Sequence, residues 1–164
     1  MTIRHARLSD AVAIRRYTDS PDDIAHVNSI LNHPEIHPWI TFNDDPVDFT
    51  WALGQSDRFV LFGPYGGQIY HLVGPKTYEV HSAYLPEARG RYALEATKQT
   101  LRWMFTQTDA TEILTRVPRG NIAAKALARA CGLRKTTTMP DGFMRFGKPI
   151  PCDVMSLTKQ AWTQ

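Results

Sequence analysis

The stretch Tyr84-Leu85-Pro86-Glu87-Ala88-Arg89-Gly90-Arg91-Tyr92-Ala93-Leu94 marks a change of architecture in this 164-residue chain. Before it, residues 77–85 read as a strand that stops at Pro86, which cannot continue a ladder. After it, Leu94, Thr97, Leu101, Met104 and Phe105 fall on one stripe at helical spacing, predicting a helix over 91–106. Strand, short loop and helix therefore meet within ten residues, with Gly90 at the entry to the helix and an arginine on either side of it.

Working outward, two further strands precede this point, Arg58 to Phe62 and Gln68 to Val73. Gly66-Gly67 and Gly74-Pro75 are the turn signals between them, so 58–85 reads as an antiparallel meander. Beyond the helix, Glu112 to Val117 is a strand. Residues 121–131 form a second amphipathic helix, with Gly132 as its stop. Leu133 to Thr138 and Asp153 to Thr158 read as closing strands. Towards the N-terminus, residues 2–8 read as a first strand, and a helix capped at Ser9 or Asp10 runs through Tyr17. A second helix opens at Pro21-Asp22-Asp23 and stops before His33-Pro34. Asp45-Pro46 is expected to open a third, short helix carrying Val47, Phe49, Trp51 and Leu53. The order predicts one α/β domain over residues 1–164, a mixed α+β sheet covered by helices on both faces.

Composition excludes several classes. Hydrophobic residues make up 43% and charged residues 21% of the chain, which fits a globular protein and not a disordered one. No purely apolar run exceeds four residues, so neither a membrane span nor a signal-peptide core is expected, and the reading is cytoplasmic. Cys131 and Cys152 form no Cys-x-x-Cys pair and are expected as reduced thiols. His33 and His37 have metal-like spacing, but Pro34 and Pro38 prevent a regular helix from presenting both rings, so no metal site is expected. Residues 1–57 carry a net charge of −5 and residues 86–135 a net of +6. The basic region suits an anionic partner. Its charges are neither in long runs nor interleaved with aromatics, which ranks a phosphorylated small molecule above nucleic acid.

Two motifs resemble those of the GNAT superfamily of acyl-CoA-dependent N-acyltransferases. Residues 84–94 resemble the family's strand end and phosphate loop, V-x-P-x-x-[RQ]-G-x-G-x-[GA], with Tyr92 and Leu94 standing where small residues are usual. The segment Asn121-Ile-Ala-Ala124-Lys-Ala-Leu127-Ala-Arg-Ala-Cys-Gly132-Leu133 matches N-x-x-A-x-x-L-Y-x-x-x-G-[FL] at every fixed position but Ala128. Many family members carry at that position the tyrosine that protonates the leaving thiolate. The resemblance implies a mostly antiparallel central sheet of the GNAT type and acetyl-CoA as co-substrate. It also implies transfer of the acetyl group to a small-molecule or protein amine, by direct attack in a ternary complex. No membrane partner is implied, and a homodimer is common in the family.

By the same resemblance Tyr84 and Leu85 lie along the pantetheine arm. Arg89, Gly90, Arg91, Tyr92 and Ala93 surround the pyrophosphate, since a helix N-terminus offers unpaired N–H groups and the positive end of a dipole. A shift of one residue lets Ala93 serve as a small residue of the loop. Asn121 helps hold the cofactor, caps its helix, or does both.

A neutral amine needs a base near the thioester. Glu79 and His81 share one strand face by alternation and are the catalytic candidates, unless a bulge swaps the face to Tyr78 or Ser82. Tyr84 and Tyr92 are the nearest replacements for the missing acid. His37, Trp39, Phe42, Phe143 and Met144 are nominated for the acceptor pocket, and the acidic first third would attract a cationic acceptor such as a lysine or polyamine. Two other readings remain: a catalytically inactive binding or assembly protein, favoured by Tyr92, Leu94 and Ala128, and a nucleic-acid-binding module using 86–135.

Overall fold

The computed structural model describes residues 12–163. The strands are β1 (Arg15–Arg16), β2 (Arg58–Gly63), β3 (Gly66–Gly74), β4 (Thr77–Tyr84), β5 (Glu112–Pro118), β6 (Arg134–Arg145) and β7 (Lys148–Thr158). The helices are α1 (Pro21–Leu31), α2 (Arg91–Gln107), α3 (Ile122–Ala130) and the single turn α4 (Lys159–Trp162). One seven-stranded sheet runs in the order β1-β2-β3-β4-β5-β7-β6. All pairings are antiparallel except β4 with β5.

Alternation along the central strands buries both faces of the sheet. Leu61, Tyr70, Tyr78 and Val80 meet Leu101, Met104 and Phe105 of α2 on one side. Val60, Phe62, Ile69 and Ala83 meet Val27, Ile30 and Leu31 of α1 on the other. That is the covered mixed sheet expected from the change of period.

The expected strand at 2–8 and the start of the first helix lie outside the described residues. Residues 12–17 are not helical. Arg15 and Arg16 pair with Phe62 and Leu61, and the Tyr17 N–H donates to the Val60 carbonyl at 2.7 Å. The unpaired edge of β2 supplies these bonds, and the Tyr17 ring packs against Phe62.

The helix expected after Asp45-Pro46 is also absent, apart from a 3-10 turn at Thr50–Ala52. Two asparagines of the α1 region hold this segment extended. Asn32 Nδ2 donates to the Val47 carbonyl at 2.8 Å, and Asn32 Oδ1 accepts from the Val47 N–H at 2.7 Å. Asn28 Oδ1 accepts from the Phe49 N–H at 2.8 Å. With those backbone groups satisfied by side chains, a helix has nothing to gain.

Two strand readings change in extent. Gly66 and Gly67 lie in the ladder rather than in the turn, which is Pro64-Tyr65. The last hairpin reaches Arg145 and Lys148, well past Thr138 and Asp153. Its extension is largely exposed and carries Pro140, Gly142, Pro149 and Pro151, so no apolar alternation advertised it.

Asp23, in the first turn of α1, is 4% exposed. It accepts from Arg15 Nη1 at 3.0 Å and from the Thr18 N–H at 2.9 Å. The Arg15 guanidinium, helped by Thr18, holds the Asp23 carboxyl down at about 2 against the opposing effect of burial. A depressed carboxylate pKa stabilises the fold above the unfolded-state value of about 3.9, and the gain is lost as pH falls towards the folded value. Arg15 is mostly exposed, so screening leaves a gain of roughly 1–2 kcal/mol. Asp23→Asn should lower the urea midpoint near neutral pH. The gap to wild type should close as pH approaches about 2; a gap that stays constant would refute the assignment to charge.

Candidate active site

The parallel pairing of β4 and β5 covers only Thr77–Glu79 against Glu112–Leu114. Beyond it the strands separate, and α2 and α3 begin at the open end. The split produces a groove of about 620 Å³ walled by Ser82 and Tyr84 of β4, Gly90, Ala93 and Leu94 at the start of α2, and Asn121, Ala124 and Leu127 of α3. A second cavity of about 420 Å³ lies on the α1 side of the sheet. Trp39, Ile40 and Ser82 wall both, so the two spaces meet at the end of β4.

Gly90 caps α2 with φ 97° and ψ −126°, a conformation open essentially to glycine alone. No side chain caps this helix, and its first internal bond is from the Leu94 N–H to the Gly90 carbonyl at 3.0 Å. The N–H groups of Arg91, Tyr92 and Ala93 therefore have no partner within the helix. The Tyr92 side chain turns away: it is 3% exposed, packs edge-on against Tyr65 and lines neither cavity. Ala93 and Leu94 line the groove instead.

Arg89 borders the groove and pairs with Glu35 across it at 3.3 Å, whereas Arg91 is exposed and outside the wall. Leu85 packs on the α1 side, with its N–H bonded to the Tyr65 carbonyl. Asn121 walls the groove and caps α3 through Oδ1, which accepts from the Ala124 N–H at 3.2 Å.

A buried polar network supports the groove floor. Gln68 Nε2 donates to Ser82 Oγ at 2.7 Å and to Thr97 Oγ1 at 3.0 Å, and the Tyr84 hydroxyl meets Thr97 Oγ1 at 2.9 Å. Burial raises the Tyr84 phenol well above its ordinary range. The Tyr84 hydroxyl is engaged by Thr97, the Tyr92 ring is turned into the core, and position 128 is an alanine.

The β3–β4 ladder is regular from Gly66↔Tyr84 to Leu72↔Tyr78, so no bulge swaps the faces. Glu79 and His81 share a face and both line the second cavity, while Tyr78 enters the core. Glu79 is 3% exposed. Arg116 of β5 grips it bidentately, Nε to Oε1 at 2.8 Å and Nη2 to Oε2 at 3.0 Å. The His81 and His71 Nε2 atoms stand 3.7 and 3.9 Å from its two oxygens, and the rings are stacked. Burial lowers the pKa of both imidazoles against the pull of Glu79. His81 is thereby held neutral at neutral pH, while both Glu79 oxygens are bound by the Arg116 guanidinium. His71, Glu79 and His81 also bring three donor atoms within 4.8 Å, but a guanidinium already occupies both carboxylate oxygens.

Of the residues nominated for the acceptor, Trp39, Phe42, Phe143 and Met144 line the second cavity. His37 does not. Its Nε2 lies 2.6 Å from the Asp45 carbonyl oxygen and its Nδ1 3.3 Å from Thr41 Oγ1, which fixes the loop over 37–45. Arg145 of β6 clamps the same loop, from Nη1 to the Pro38 and Thr41 carbonyls and from Nη2 to Asp44.

Among the described residues, no acid of the first third lines this cavity, and Asp23, Glu35 and Asp44 pair with Arg15, Arg89 and Arg145. Several cations of the basic centre are likewise engaged: Lys125 and Lys135 by Asp153, Arg116 by Glu79. The residues that sequence reading missed are Arg58, His71 and Arg116. The register Arg58↔His71↔Glu79 puts the first two in one row with Glu79 across β2, β3 and β4, a signal available only by counting the ladder from its turns.

No helix among the described residues is long and apolar enough to cross a membrane. The fold is that of the GNAT acetyltransferases. The ribosomal-protein-S5-alanine acetyltransferase of Vibrio fischeri superposes with TM-score 0.74 at 16% identity, over 91% of this chain and 93% of that one. A spermidine N-acetyltransferase of Vibrio cholerae, solved with CoA and spermine, gives 0.75 at 16% identity over 92% and 98%. A GNAT-family acetyltransferase of Bacillus anthracis gives 0.73 at 16% identity over 90% and 94%. By sequence, 85 residues are 27% identical to protein p31 of Acyrthosiphon pisum secondary endosymbiont phage 1, covering 52% of this chain and 55% of that protein. The matched stretch thus spans about half the length of that curated relative. Residues 59–164 match the family described as protein of unknown function DUF2824. The chain belongs to that family, as a divergent member of the GNAT fold.

Proposed function

We propose that this chain transfers an acetyl group from acetyl-CoA to an amine in a ternary complex. The observation that carries the reading is the meeting of groove and cavity at Ser82, with His81 and Glu79 beside the junction. The groove suits acetyl-CoA: an uncapped helix N-terminus opened by Gly90 for the pyrophosphate, and walls of alanine and leucine for the pantetheine arm. Acetyl-CoA supplies an acyl group on a good leaving thiol. The two-chambered site holds the amine against that group, which removes much of the entropic barrier. His81 takes a proton from the attacking amine, the acyl–sulfur bond breaks as the carbon–nitrogen bond forms, and the thiolate collects its proton from solvent. Solved neighbours named as acetyltransferases, one in complex with CoA, support the reading at the level of fold.

Thermal unfolding at fixed salt with acetyl-CoA, CoA or ATP is the first test. A ligand at about 100 times its dissociation constant adds roughly 2.7 kcal/mol, a visible rise in Tm. Acetyl-CoA and CoA should both raise Tm, and ATP should not. Thiol release on adding an amine should follow. If millimolar acetyl-CoA neither binds nor stabilises the protein, the reading fails. A binding-only descendant is the second reading, favoured by Ala128 and by the Arg116 clamp on Glu79. It predicts the Tm shift without amine-dependent thiol release.

A further inference from the structure

We propose that the acceptor is a small amine bearing a carboxylate on an apolar, aromatic or branched body, and that Arg58 seats the carboxylate. This deepens the acetyl-transfer reading above and rests on it. The charged side chains lining the acceptor cavity are Arg58, Glu79, Arg116 and Asp141. Arg116 and Glu79 neutralise one another through two hydrogen bonds. Asp141 is exposed on β6, at the far flank from β2. Arg58 is left on the near flank, and among the described residues its guanidinium has no ion pair. It lies over the Trp51 ring, with its central carbon 4.8 Å from the centroid. A guanidinium held on an aromatic ring still has N–H donors for a planar anion.

Position supports the same assignment. Arg58, His71 and Glu79 are consecutive partners across β2, β3 and β4, so Arg58 and Glu79 stand two strand spacings apart, about 10 Å between backbones. Arg58 and His81 line the same cavity, which a small molecule can span. An amine at His81 and an anion at Arg58 can therefore belong to one acceptor, whose body meets Trp39, Phe42 and Phe143. A polyamine fits poorly. With Arg116 and Glu79 neutralising one another, an additional ammonium on the β2 flank would face the Arg58 guanidinium, and the remaining carboxylate, Asp141, lies on the opposite flank.

The test compares three probes on wild type: phenylalanine or its β-amino homologue, phenethylamine, and spermidine. Thiol release from acetyl-CoA gives kcat/KM. Calorimetric binding to the CoA-saturated protein gives affinity for the probes and for N-acetylphenylalanine. The carboxylate-bearing amine should exceed phenethylamine by roughly tenfold or more, the worth of a charged hydrogen-bonded pair. Arg58→Ala should close that gap, and Arg58→Lys should recover part of it, with the CoA-induced Tm shift as the check of folding. Equal or better use of phenethylamine or spermidine by wild type overturns the inference while leaving acetyl transfer standing. So does a gap that Arg58→Ala does not change. If no amine releases thiol, the reaction reading fails. Binding then decides alone: Arg58-dependent binding of N-acetylphenylalanine upholds the anion seat, and no binding removes it.

Discussion

Replacing His81 with alanine should lower amine-dependent acetyl transfer by roughly 10²–10⁴-fold, the usual contribution of a positioned general base. The CoA-induced rise in Tm should survive, because His81 lines the second cavity and not the groove proposed for acetyl-CoA. The pH dependence carries a second signature. Desolvation at the cavity wall lowers the His81 pKa below the ordinary histidine value, against the pull of Glu79. A base must be deprotonated to act, so wild-type turnover should persist below the ordinary histidine range and fall only as pH approaches that lowered value. Stability runs in the same direction. Protons prefer the unfolded imidazole at about 6.5, so as pH falls below that point this group destabilises the fold until its folded pKa is reached. Unchanged turnover in His81→Ala, or an acid limb near 6.5, would show that another group takes the proton.

A large effect on stability is expected at Gly67, where a single methyl group should unfold the protein or nearly so. Gly67 sits between Phe62 and Ala83 in the ladder. A Cβ there would lie 2.1 Å from the Leu61 carbonyl oxygen and 2.7 Å from the Phe62 Cα, both backbone atoms that cannot rotate away. Relief requires β2 and β3 to separate in the middle of the sheet. Gly67→Ala should cost more than about 4 kcal/mol, against a total of about 5–15 kcal/mol for a typical domain. Urea unfolding or soluble yield reads this directly. A urea midpoint close to wild type would mean that the strands part at little cost.

Gly67 also shows why part of the fold could not be read in advance. A glycine pair between two apolar runs is a turn signal by local chemistry, and the turn is indeed adjacent, at Pro64-Tyr65. What demands the glycine is a neighbouring backbone, which no local pattern reports. The extended 46–49 segment has the same explanation: asparagines of α1 and the residue after it, distant in sequence, bind its backbone. The long β6–β7 hairpin escaped because its tip is solvated and broken by prolines and glycines.

The sequence by itself determined the order of the main elements from Pro21 onward, the helix entry at Gly90, the Asn121 cap and the shared face of Glu79 and His81. Each is encoded within a few residues, by apolar period, cap chemistry or strand alternation. Tertiary structure alone decided what those residues can do. It placed the Arg116 guanidinium on Glu79, turned Tyr92 into the core, committed His37 to a loop and brought Arg58 into the cavity wall. It also paired Glu35, Asp23 and Asp44 of the acidic first third with arginines, so net charge along the chain does not forecast which charged groups line the second cavity. These are contacts between strands and loops tens of residues apart, and only the register of the closed sheet specifies them.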